Sequence, residues 1–142
     1  MLTKIEVKPV CYKAVVPTKA HGDDAAFDLH ASEDGCIWPD QVIPIPTGVA
    51  FSIPPGYVGI IYGRSSWGKR NCDVIAGVID AGYQGEVKVL IQNGSGHEQH
   101  YREGDRIAQI IFHKLPEICL TPVDEFATVT ERGENGFGST GE

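Results

Sequence analysis

The sequence predicts an all-β fold, most simply a single-domain, distorted jelly-roll barrel, and three observations lead to that prediction. Short apolar runs recur along the 142 residues, separated by Gly, Pro, Asn and Asp at intervals of about eight to twelve residues. The chain contains 17 glycines and 9 prolines, too many for a helical protein of this length. At residues 86–91 apolar and polar side chains alternate, which is typical of a strand with one buried face.

The candidate strands follow one another along most of the chain, with turn residues between them. They are residues 2–8, 12–16, 26–31, 41–45, 49–53, 58–62, 72–75, 86–92, 106–113, 117–121 and 127–130. Residues 53–57 and 93–96 are rich in Pro or Gly and mark turns between neighbouring strands. One or two turns of helix are expected only at residues 65–70, where Ser65 or Ser66 is available as the N-cap.

The end of the chain differs from the rest. Residues 131–142 contain one large apolar side chain, Phe137, among glycines. Such a segment cannot bury enough apolar surface to order itself, so we expect a flexible arm unless a ligand or partner holds it. The predicted organisation is a jelly-roll core at residues 1–130 and a glycine-rich C-terminal arm at residues 131–142, with no second domain.

Composition and charge exclude several classes of function. Hydrophobic residues make up 42% of the chain and charged residues 22%, which is ordinary for a soluble globular protein. The formal net charge of −7 argues against a nucleic acid or an anionic membrane as partner, since such binders usually carry a basic excess. No apolar stretch is long enough to span a membrane and no signal-peptide core follows Met1, so we expect a soluble, intracellular protein of the cytoplasm or nucleus.

The four cysteines, Cys11, Cys36, Cys72 and Cys119, are scattered without a C-x-x-C pair. That spacing indicates neither a zinc site nor a disulfide framework. None of them has a histidine at a position typical of a catalytic thiol, so we interpret them as small apolar residues.

The stretch at residues 77–85 is the first candidate for a functional site. Asp80 follows apolar or small residues and Tyr83 stands three places later, with glycines on both sides of the turn that leads into the strand at residues 86–92. Loops and strand ends held by a scaffold are common places for catalytic groups. The same pattern also fits a simple tight hairpin, in which Asp80 caps its own turn and Tyr83 is a half-buried strand aromatic.

Two further clusters are candidates for binding phosphate. One places Arg64 before the hydroxyls of Ser65 and Ser66 at the start of the expected helical turn, where free N–H groups bind anions. Its spacing is not that of a P-loop, and a capped surface turn is the alternative. In the other, Gln109 is the one amide within the apolar run of residues 104–112. A buried amide needs a partner such as a ligand phosphate, whereas an exposed one would face solvent.

The remaining candidates lie nearer the two ends of the chain. Asp28 lies within the strand expected at residues 26–31, where a carboxylate packs poorly but suits the outer shell of a Mg²⁺ ion. In the arm, Arg132 can bind phosphate through two N–H groups and Phe137 can stack on a base. The alternative interpretation of the whole arm is a disordered tail without a binding role. Backbone N–H groups and hydroxyls that can cradle phosphate oxygens follow at Gly138, Ser139 and Thr140.

In chain order, these five segments resemble the motifs of the homotrimeric dUTP pyrophosphatase (dUTPase) family. The resemblance extends from about Asp24 to Gly141 and is most specific at residues 77–85, 104–110 and 132–141. It implies a jelly-roll trimer with active sites at subunit interfaces, which uses Mg²⁺ to hydrolyse dUTP to dUMP and pyrophosphate. Such an activity keeps uracil out of DNA and supplies dUMP for thymidylate synthesis.

The resemblance also implies a role for each candidate residue. Asp80 matches the aspartate that activates water for in-line attack on the α-phosphorus, and Tyr83 matches the aromatic that packs under the deoxyribose. Asp28 matches the acid that reaches the metal through its water shell. The other implied substrate-binding residues are Gly77, Val78, Ile79 and Lys88 around uracil, Arg64, Ser65, Ser66 and Gln109 at the phosphates, and Arg132, Phe137, Gly138, Ser139 and Thr140 in the closing arm.

Two segments depart from the family pattern. The residue before Phe27 is alanine where the family commonly has glycine, which leaves the backbone geometry near Asp28 open. Residues 63–66 begin with glycine and end with serine where many members begin with proline and end with glycine, which leaves the individual role of Ser66 open. Some viral and retroviral members tolerate such changes, so a virus-encoded protein is one option.

Two other functions remain as alternatives at the level of sequence. A dCTP deaminase shares the fold, and its second motif often reads Gly-Arg-Ser-Ser, as here, but deamination needs a carboxylate where this chain has Leu90. A non-catalytic jelly-roll interaction or capsid module would not require Asp80, Tyr83, Arg132 and Phe137 together.

Overall fold

The computed structural model describes residues 1–138 and Gly141, and the secondary structure of this part is nearly all β. It confirms the all-β prediction. In chain order the elements are β1 (Glu6–Pro9), β2 (Phe27–His30), β3 (Gly35–Ile37), β4 (Val42–Ser52), β5 (Tyr57–Tyr62), α1 (Ser65–Gly68), β6 (Cys72–Val74), β7 (Val78–Ile79), β8 (Glu86–Asn93), β9 (Gln99–Tyr101) and β10 (Arg106–Lys114).

Two four-stranded sheets and a two-stranded ribbon form the jelly roll. The first sheet has the strand order β1-β4-β8-β6, the second has the order β2-β10-β5-β7, and β3 pairs with β9 in the ribbon. The strand pairings are antiparallel throughout these sheets. The core is a cluster of buried side chains contributed by both sheets, among them Leu29, Ile45, Val49, Val87, Val89, Ile91, Ile107 and Ile110.

Strand β4 joins two strands that the sequence predicts separately, at residues 41–45 and 49–53. Its register with β8 shifts at a bulge near its middle. Thr47 is buried there, and its hydroxyl donates a hydrogen bond to the Val87 carbonyl at 2.6 Å, while Gly48 adopts a φ of +71°. The prediction of two strands was wrong because a bulge lets one strand continue through Pro and Gly residues that resemble a turn.

Several other strand predictions were wrong for reasons of pairing and length. Within the described residues, 12–16, 117–121 and 127–130 form no strand, because no neighbouring strand pairs with them. Strands β3, β7 and β9 were missed, since two or three residues are too few to show an alternating pattern.

The helical turn α1 is shorter than predicted and is capped differently. It ends at Gly68 instead of extending to Arg70. Its N-cap is Arg64, which makes no side-chain capping hydrogen bond, so the predicted capping by Ser65 or Ser66 was wrong. A turn of this length has little of the dipole of a longer helix, so contacts to an anion here depend on side chains.

The β3–β9 ribbon is fastened to the first sheet by Asn93 at the end of β8. This side chain is fully buried, and its amide nitrogen donates hydrogen bonds to the carbonyls of Ile37 and His97, each at 2.8 Å. Its carbonyl oxygen accepts hydrogen bonds from the backbone and the hydroxyl of Ser95. Because the buried amide is satisfied on both sides, it fixes the ribbon against β8.

Beyond Lys114 the chain leaves the two sheets, well before residue 131 where the sequence predicts the arm to begin. Every residue from 115 to 138 is exposed. The large apolar side chains exposed in this segment are Leu115, Ile118, Leu120, Val123, Phe126, Val129 and Phe137. Among the described residues, no helix has the length and apolar character needed to cross a membrane.

Candidate active site

A cavity of about 640 Å³, the sheet cavity, lies beside the strands β2, β10 and β5. These strands are neighbours in the second sheet, and Gln109 of β10 is opposite both Asp28 of β2 and Tyr62 of β5. The register therefore brings three polar side chains from distant parts of the sequence to one place. The rest of the lining is Ala20, Asp24, Ala25, Ala26, Gly63, Arg64, Ser65, Arg106 and Ile111.

Two arginines flank Asp28 in the sheet cavity. Arg64 Nε lies 3.4 Å from one Asp28 carboxylate oxygen, and Arg106 Nη1 lies 3.7 Å from the other. Arg64 also donates a hydrogen bond to the backbone carbonyl of Arg106 at 3.1 Å. The Asp28 side chain is only 16% exposed, so solvent screens these charges incompletely. The Arg64 guanidinium is thus held from two sides, whereas the Arg106 side chain is 50% exposed and has the longer of the two contacts to Asp28.

Gln109 and Ser65 add neutral polar groups to the same cavity. Gln109 is partly buried, and its amide nitrogen donates a hydrogen bond to the Gly63 carbonyl at 2.9 Å. Its side chain is therefore tied to the loop after β5 instead of moving freely in solvent. Ser65 lines the cavity, whereas Ser66 is exposed outside it. The structure brings one of the two predicted hydroxyls to the cavity and not the other.

His30 lies on β2 two residues after Asp28 and so on the same side of that strand. Its Nδ1 atom is buried without a hydrogen-bond partner among the described residues. Burial is the main cause that lowers the pKa of this imidazole below its usual 6.5; the Asp28 carboxylate opposes the shift, and Arg106 and Arg64 reinforce it. The ring is held neutral beside a cluster of charges.

A second cavity of about 370 Å³, the hairpin cavity, lies at the turn after β7. Strand β7 is an edge strand that pairs with β5 on one side, and no strand of the described chain pairs with its other side. Its outer N–H and C=O groups are therefore available to a ligand. The residues that line the cavity are Pro44, Val78, Ile79, Asp80, Tyr83, Glu86, Val87, Lys88 and Leu90.

The turn between β7 and β8 closes tightly around Tyr83. The Tyr83 N–H donates a hydrogen bond to the Asp80 carbonyl at 3.0 Å, and the Tyr83 hydroxyl donates one to the Glu86 carbonyl at 2.8 Å. A Cβ on Gly85 would lie 2.6 Å from the Tyr83 hydroxyl oxygen, so any larger residue here would displace the Tyr83 ring. Tyr83 is 47% exposed and lies in the turn, not in a strand, so the interpretation as a half-buried strand aromatic does not hold.

Gly77 lies behind the hairpin cavity and does not line it. Its carbonyl accepts a hydrogen bond from the Ile61 N–H at 2.9 Å. A Cβ on Gly77 would lie 2.8 Å from the Ile61 carbonyl oxygen. The glycine therefore allows the chain before β7 to pass close to β5, which sets the position of the edge strand.

In a single chain the two cavities are separate and have no lining residue in common. The structure thus collects the predicted site residues into two groups, not one. The predicted arm residues Arg132, Phe137 and Gly138 are exposed and line neither cavity, and Arg132 Nε donates a hydrogen bond to the Asn135 carbonyl. Ser139 and Thr140 lie outside the described residues.

Sequence reasoning missed Arg106, Asp24 and Tyr62, all of which line the sheet cavity. Arg106 lies in the same sequence segment as Gln109, but only its partnership with Asp28 across two strands reveals its place in the site. The alanines before Phe27 have no positive φ, so replacing the family's glycine there introduces no backbone strain.

Leu90 lines the hairpin cavity at the place where a deaminase would need a carboxylate. The Glu86 carboxylate also lies in this cavity, but it accepts a hydrogen bond from the Gly48 N–H at 2.9 Å. Glu86 is therefore occupied in supporting the bulge of β4, where Gly48 has its positive φ.

Fold and cavities together define a class of protein: a jelly roll whose paired guanidinium groups are suited to a phosphate-bearing ligand and which presents an exposed carboxylate beside an aromatic ring. The family model described as dUTPase matches residues 12–141. The chain belongs to the dUTPase family, as the resemblance in its motifs predicts.

Relatives and solved structures agree with this assignment. The deoxyuridine 5'-triphosphate nucleotidohydrolase of Mycobacterium sp. (strain JLS) is 39% identical over 149 residues, which cover 99% of this chain and 97% of the relative. The enzyme of the same name from Fowlpox virus (strain NVSL) is 38% identical, with 99% of each chain covered. A mutant dUTPase of Staphylococcus bacteriophage 80alpha, solved with dUpNHpp, has a TM-score of 0.92 and 30% identity and covers 99% of this chain and 100% of its own.

Proposed function

We propose that the protein hydrolyses dUTP to dUMP and pyrophosphate. One observation carries the proposal: the polar residues of the chain form one cavity suited to phosphates and another suited to a base and a sugar. The family and the names of the relatives supply the particular nucleotide. The position of each residue in one of the two cavities supports the role that we propose for it.

The triphosphate binds in the sheet cavity. Arg64 and Arg106 present planar N–H groups that match phosphate oxygens, and Ser65 and Gln109 add neutral contacts. Because Arg64 is held by the Arg106 carbonyl, its guanidinium needs little reordering when the ligand arrives. Ser66 has no part in this cavity within one chain.

The donor set of the sheet cavity fits a Mg²⁺ ion that arrives with the triphosphate. Mg²⁺ keeps several waters and binds through one or two carboxylates plus substrate phosphates. Asp28 and Asp24 both line the cavity, and Asp28, neutralised by two arginines, is suited to a water-mediated contact. When bound, the ion neutralises phosphate charge and stabilises the departing pyrophosphate.

Uracil and deoxyribose bind in the hairpin cavity. The free edge of β7 at Val78 and Ile79 offers backbone N–H and C=O groups to the base edge, and a base with the opposite donor pattern would leave those groups unpaired. Tyr83 provides a fixed ring face for the sugar, which excludes a 2′-hydroxyl by contact. Lys88 is exposed and lines the same cavity.

Asp80 is the general base. Its carboxylate lies in the hairpin cavity, on a turn whose backbone is fixed by the Tyr83 N–H hydrogen bond, and the side chain is exposed. A carboxylate in this position can take a proton from a water molecule as the water attacks the α-phosphorus. General base catalysis contributes about a hundred- to ten-thousandfold to the rate.

We infer that the complete site forms between copies of the chain in a trimer. One chain keeps its two cavities apart, so a ligand that fills both needs a second copy. Residues 115–138 also expose seven large apolar side chains, which need a partner surface. A groove on the chain body offers such a surface, lined in part by Ile5, Val7, Phe27, Phe51, Tyr57 and Phe112.

The arm after residue 131 closes over the assembled site. Arg132 contributes a phosphate donor and Phe137 a face for the uracil ring, and both are exposed in the free chain. Gly138, with Ser139 and Thr140, supplies backbone and hydroxyl groups to the phosphates. Closure excludes water other than the attacking molecule.

A substrate panel tests the proposal. The full chain is incubated with dUTP, dCTP and UTP in the presence of Mg²⁺, and pyrophosphate and ammonia are measured. Pyrophosphate from dUTP alone is the expected result. Ammonia from dCTP would identify a deaminase, equal hydrolysis of UTP would contradict the role of Tyr83, and the absence of any product would indicate a non-catalytic module.

A further inference from the structure

The outward face of the β3–β9 ribbon carries a cluster of metal-binding side chains. Cys36 of β3 is directly opposite His100 of β9 in the strand register, so their side chains are close neighbours on one face. Glu98, two residues before His100, extends its carboxylate between them. The Cys36 Sγ atom is 3.9 Å from Glu98 Oε2, and His100 Nε2 is 3.3 Å from Glu98 Oε1.

These distances are close to those of a tetrahedral zinc site. Zinc binds sulfur at about 2.3 Å and nitrogen or oxygen at about 2.0 Å, which places ligand atoms about 3.3–3.6 Å from one another. One ligand atom from each of the three side chains lies within 4.8 Å of the other two. Small rotations of exposed side chains are enough to close the site, since His100 is 66% and Glu98 45% exposed.

The backbone beneath this cluster is rigid. Ile37 and Tyr101 on the opposite face of the ribbon are 0% and 5% exposed, and Gly35 leaves room for the Tyr101 ring. Asn93 holds the ribbon through its hydrogen bonds to the Ile37 and His97 carbonyls. Two of the three side chains thus project from a fixed pair of strands, which lowers the cost of ordering them around an ion.

The set of donor atoms selects the kind of metal. A thiolate, an imidazole and a carboxylate together are borderline-soft ligands, which suit Zn²⁺ and its neighbours and not Mg²⁺ or Ca²⁺. In the metal-free chain the Cys36 thiol donates a hydrogen bond to the Glu98 carboxylate, so an ion that binds both groups takes the place of the thiol proton. None of the three residues lines the sheet cavity or the hairpin cavity.

We propose that Cys36, Glu98 and His100 form a binding site for a Zn²⁺ ion, with a fourth position open to water. The ion joins β3 to β9 from the outside, where only three residue pairs hold the two strands together. The site is independent of dUTP hydrolysis and would remain if the proposed activity were wrong.

A cobalt titration tests this site. The full chain, with a non-thiol reductant and saturating Mg²⁺ to occupy magnesium sites, is titrated with Co²⁺, whose thiolate complexes absorb in the near ultraviolet. The expected result is one equivalent of Co²⁺ per chain with a thiolate absorption band, which Zn²⁺ then removes by displacement. Absence of stoichiometric binding would overturn the proposal.

Matched variants identify the ligands. Cys36→Ser should remove the thiolate band and weaken binding by about a hundredfold, while Cys119→Ser, at an exposed cysteine elsewhere, should leave both unchanged. His100→Asn should weaken binding by at least about tenfold, and His97→Asn, at the neighbouring exposed histidine, should not. A band that survives in Cys36→Ser, in variants with the circular dichroism spectrum of the parent chain, would contradict the assignment.

Discussion

Asp80 and His30 are two titratable side chains with different surroundings: Asp80 is exposed, and His30 is partly buried. Asp80 is exposed at a turn and forms no ion pair within the described part of the chain, so it is available to a water molecule and a substrate. His30 is partly buried beside Asp28, Arg64 and Arg106, and the charges of these three side chains influence its protonation. The chemical role of each residue follows from its exposure and neighbours.

Replacing the base tests the role of Asp80. Asp80→Asn keeps the size and polarity of the side chain but cannot accept a proton, so kcat should fall about a hundred- to ten-thousandfold. Binding of a non-hydrolysable dUTP analogue, measured by calorimetry, should change little. Asp73→Asn, at an exposed aspartate on β6, serves as the control and should keep full activity. Near-normal turnover by Asp80→Asn would exclude Asp80 as the base.

The lowered pKa of His30 predicts how stability depends on pH. In the unfolded chain this histidine titrates near 6.5, and in the folded chain it titrates lower, so the unfolded chain binds more protons as the pH falls below 6.5. Its contribution to the free energy of unfolding is present above pH 6.5 and is lost as the pH falls through the folded pKa.

Denaturant unfolding between pH 5 and pH 8 measures this effect. His30→Asn should unfold with a flatter pH dependence than the parent chain, because it removes the shifted group. His21→Asn, at an exposed histidine, should retain the parent slope. Identical slopes for the parent and His30→Asn would show that His30 does not carry the effect.

At the scale of elements, the turn between β7 and β8 shows how a short segment positions a site. Its glycines differ in what surrounds them: a Cβ on Gly85 would collide with the Tyr83 ring, whereas a Cβ on Gly82 meets nothing within 4 Å. Both lie in the same turn, and neither has a positive φ. They therefore form a matched pair for testing the position of the ring.

Gly85→Ala should displace the Tyr83 ring from its hydrogen bond with the Glu86 carbonyl and lower kcat/KM for dUTP by about ten- to a hundredfold. Gly82→Ala should change kcat/KM by less than about twofold, because the added methyl group enters open space. Steady-state kinetics with dUTP and UTP measures both effects. If the two variants behave alike, the close packing against Tyr83 is not what positions the sugar.

The sequence was sufficient to predict the strands β5, β8 and β10 and several of the residues that line the two cavities, because both depend on local patterns. Asp28, Gln109 and Asp80 each stand out against their own neighbours, and the strands that hold Asp28 and Gln109 were predicted. The sequence could not show which strands become neighbours in the sheets. Arg106 was missed for this reason, since its partner Asp28 lies on another strand.

The β3–β9 ribbon is a second place where the sequence did not reveal which strands pair. Cys36 and Glu98 are 62 residues apart, and no spacing rule links them. Strands β3 and β9 were themselves not predicted, since three residues cannot show a period. A cysteine interpreted as a small apolar residue thus becomes a candidate metal ligand only when the register places it opposite His100.

At the scale of the whole molecule, a single chain has a long exposed segment at residues 115–138. Its candidate site residues are divided between the sheet cavity and the hairpin cavity. Residues 115–138 cover no part of the core, and their apolar side chains remain in solvent. We therefore expect the body of one chain to fold without this segment, whereas the proposed activity requires it.

Deleting residues 132–142 separates these two roles. Hydrolysis should fall about a hundredfold or more, because Arg132 and Phe137 are removed from the assembled site. The melting temperature should change by only a few degrees, since the deleted residues that the structure describes are exposed. Calorimetry and light scattering check the fold and the assembly. Loss of the folded body on truncation would show that the arm is structural.

The separation of the sheet cavity from the hairpin cavity has a genetic consequence: inactive copies should be able to rescue one another. In the proposed trimer, Arg64→Ala damages one half of a shared site and Asp80→Asn damages the other half. If equal amounts of the two variants are unfolded and refolded together, about one quarter of the sites combine two intact halves by random mixing. The mixture should recover about a quarter of parental activity, whereas the double variant mixed with itself should recover none. We therefore expect two inactive alleles of this protein to complement each other when their products assemble together.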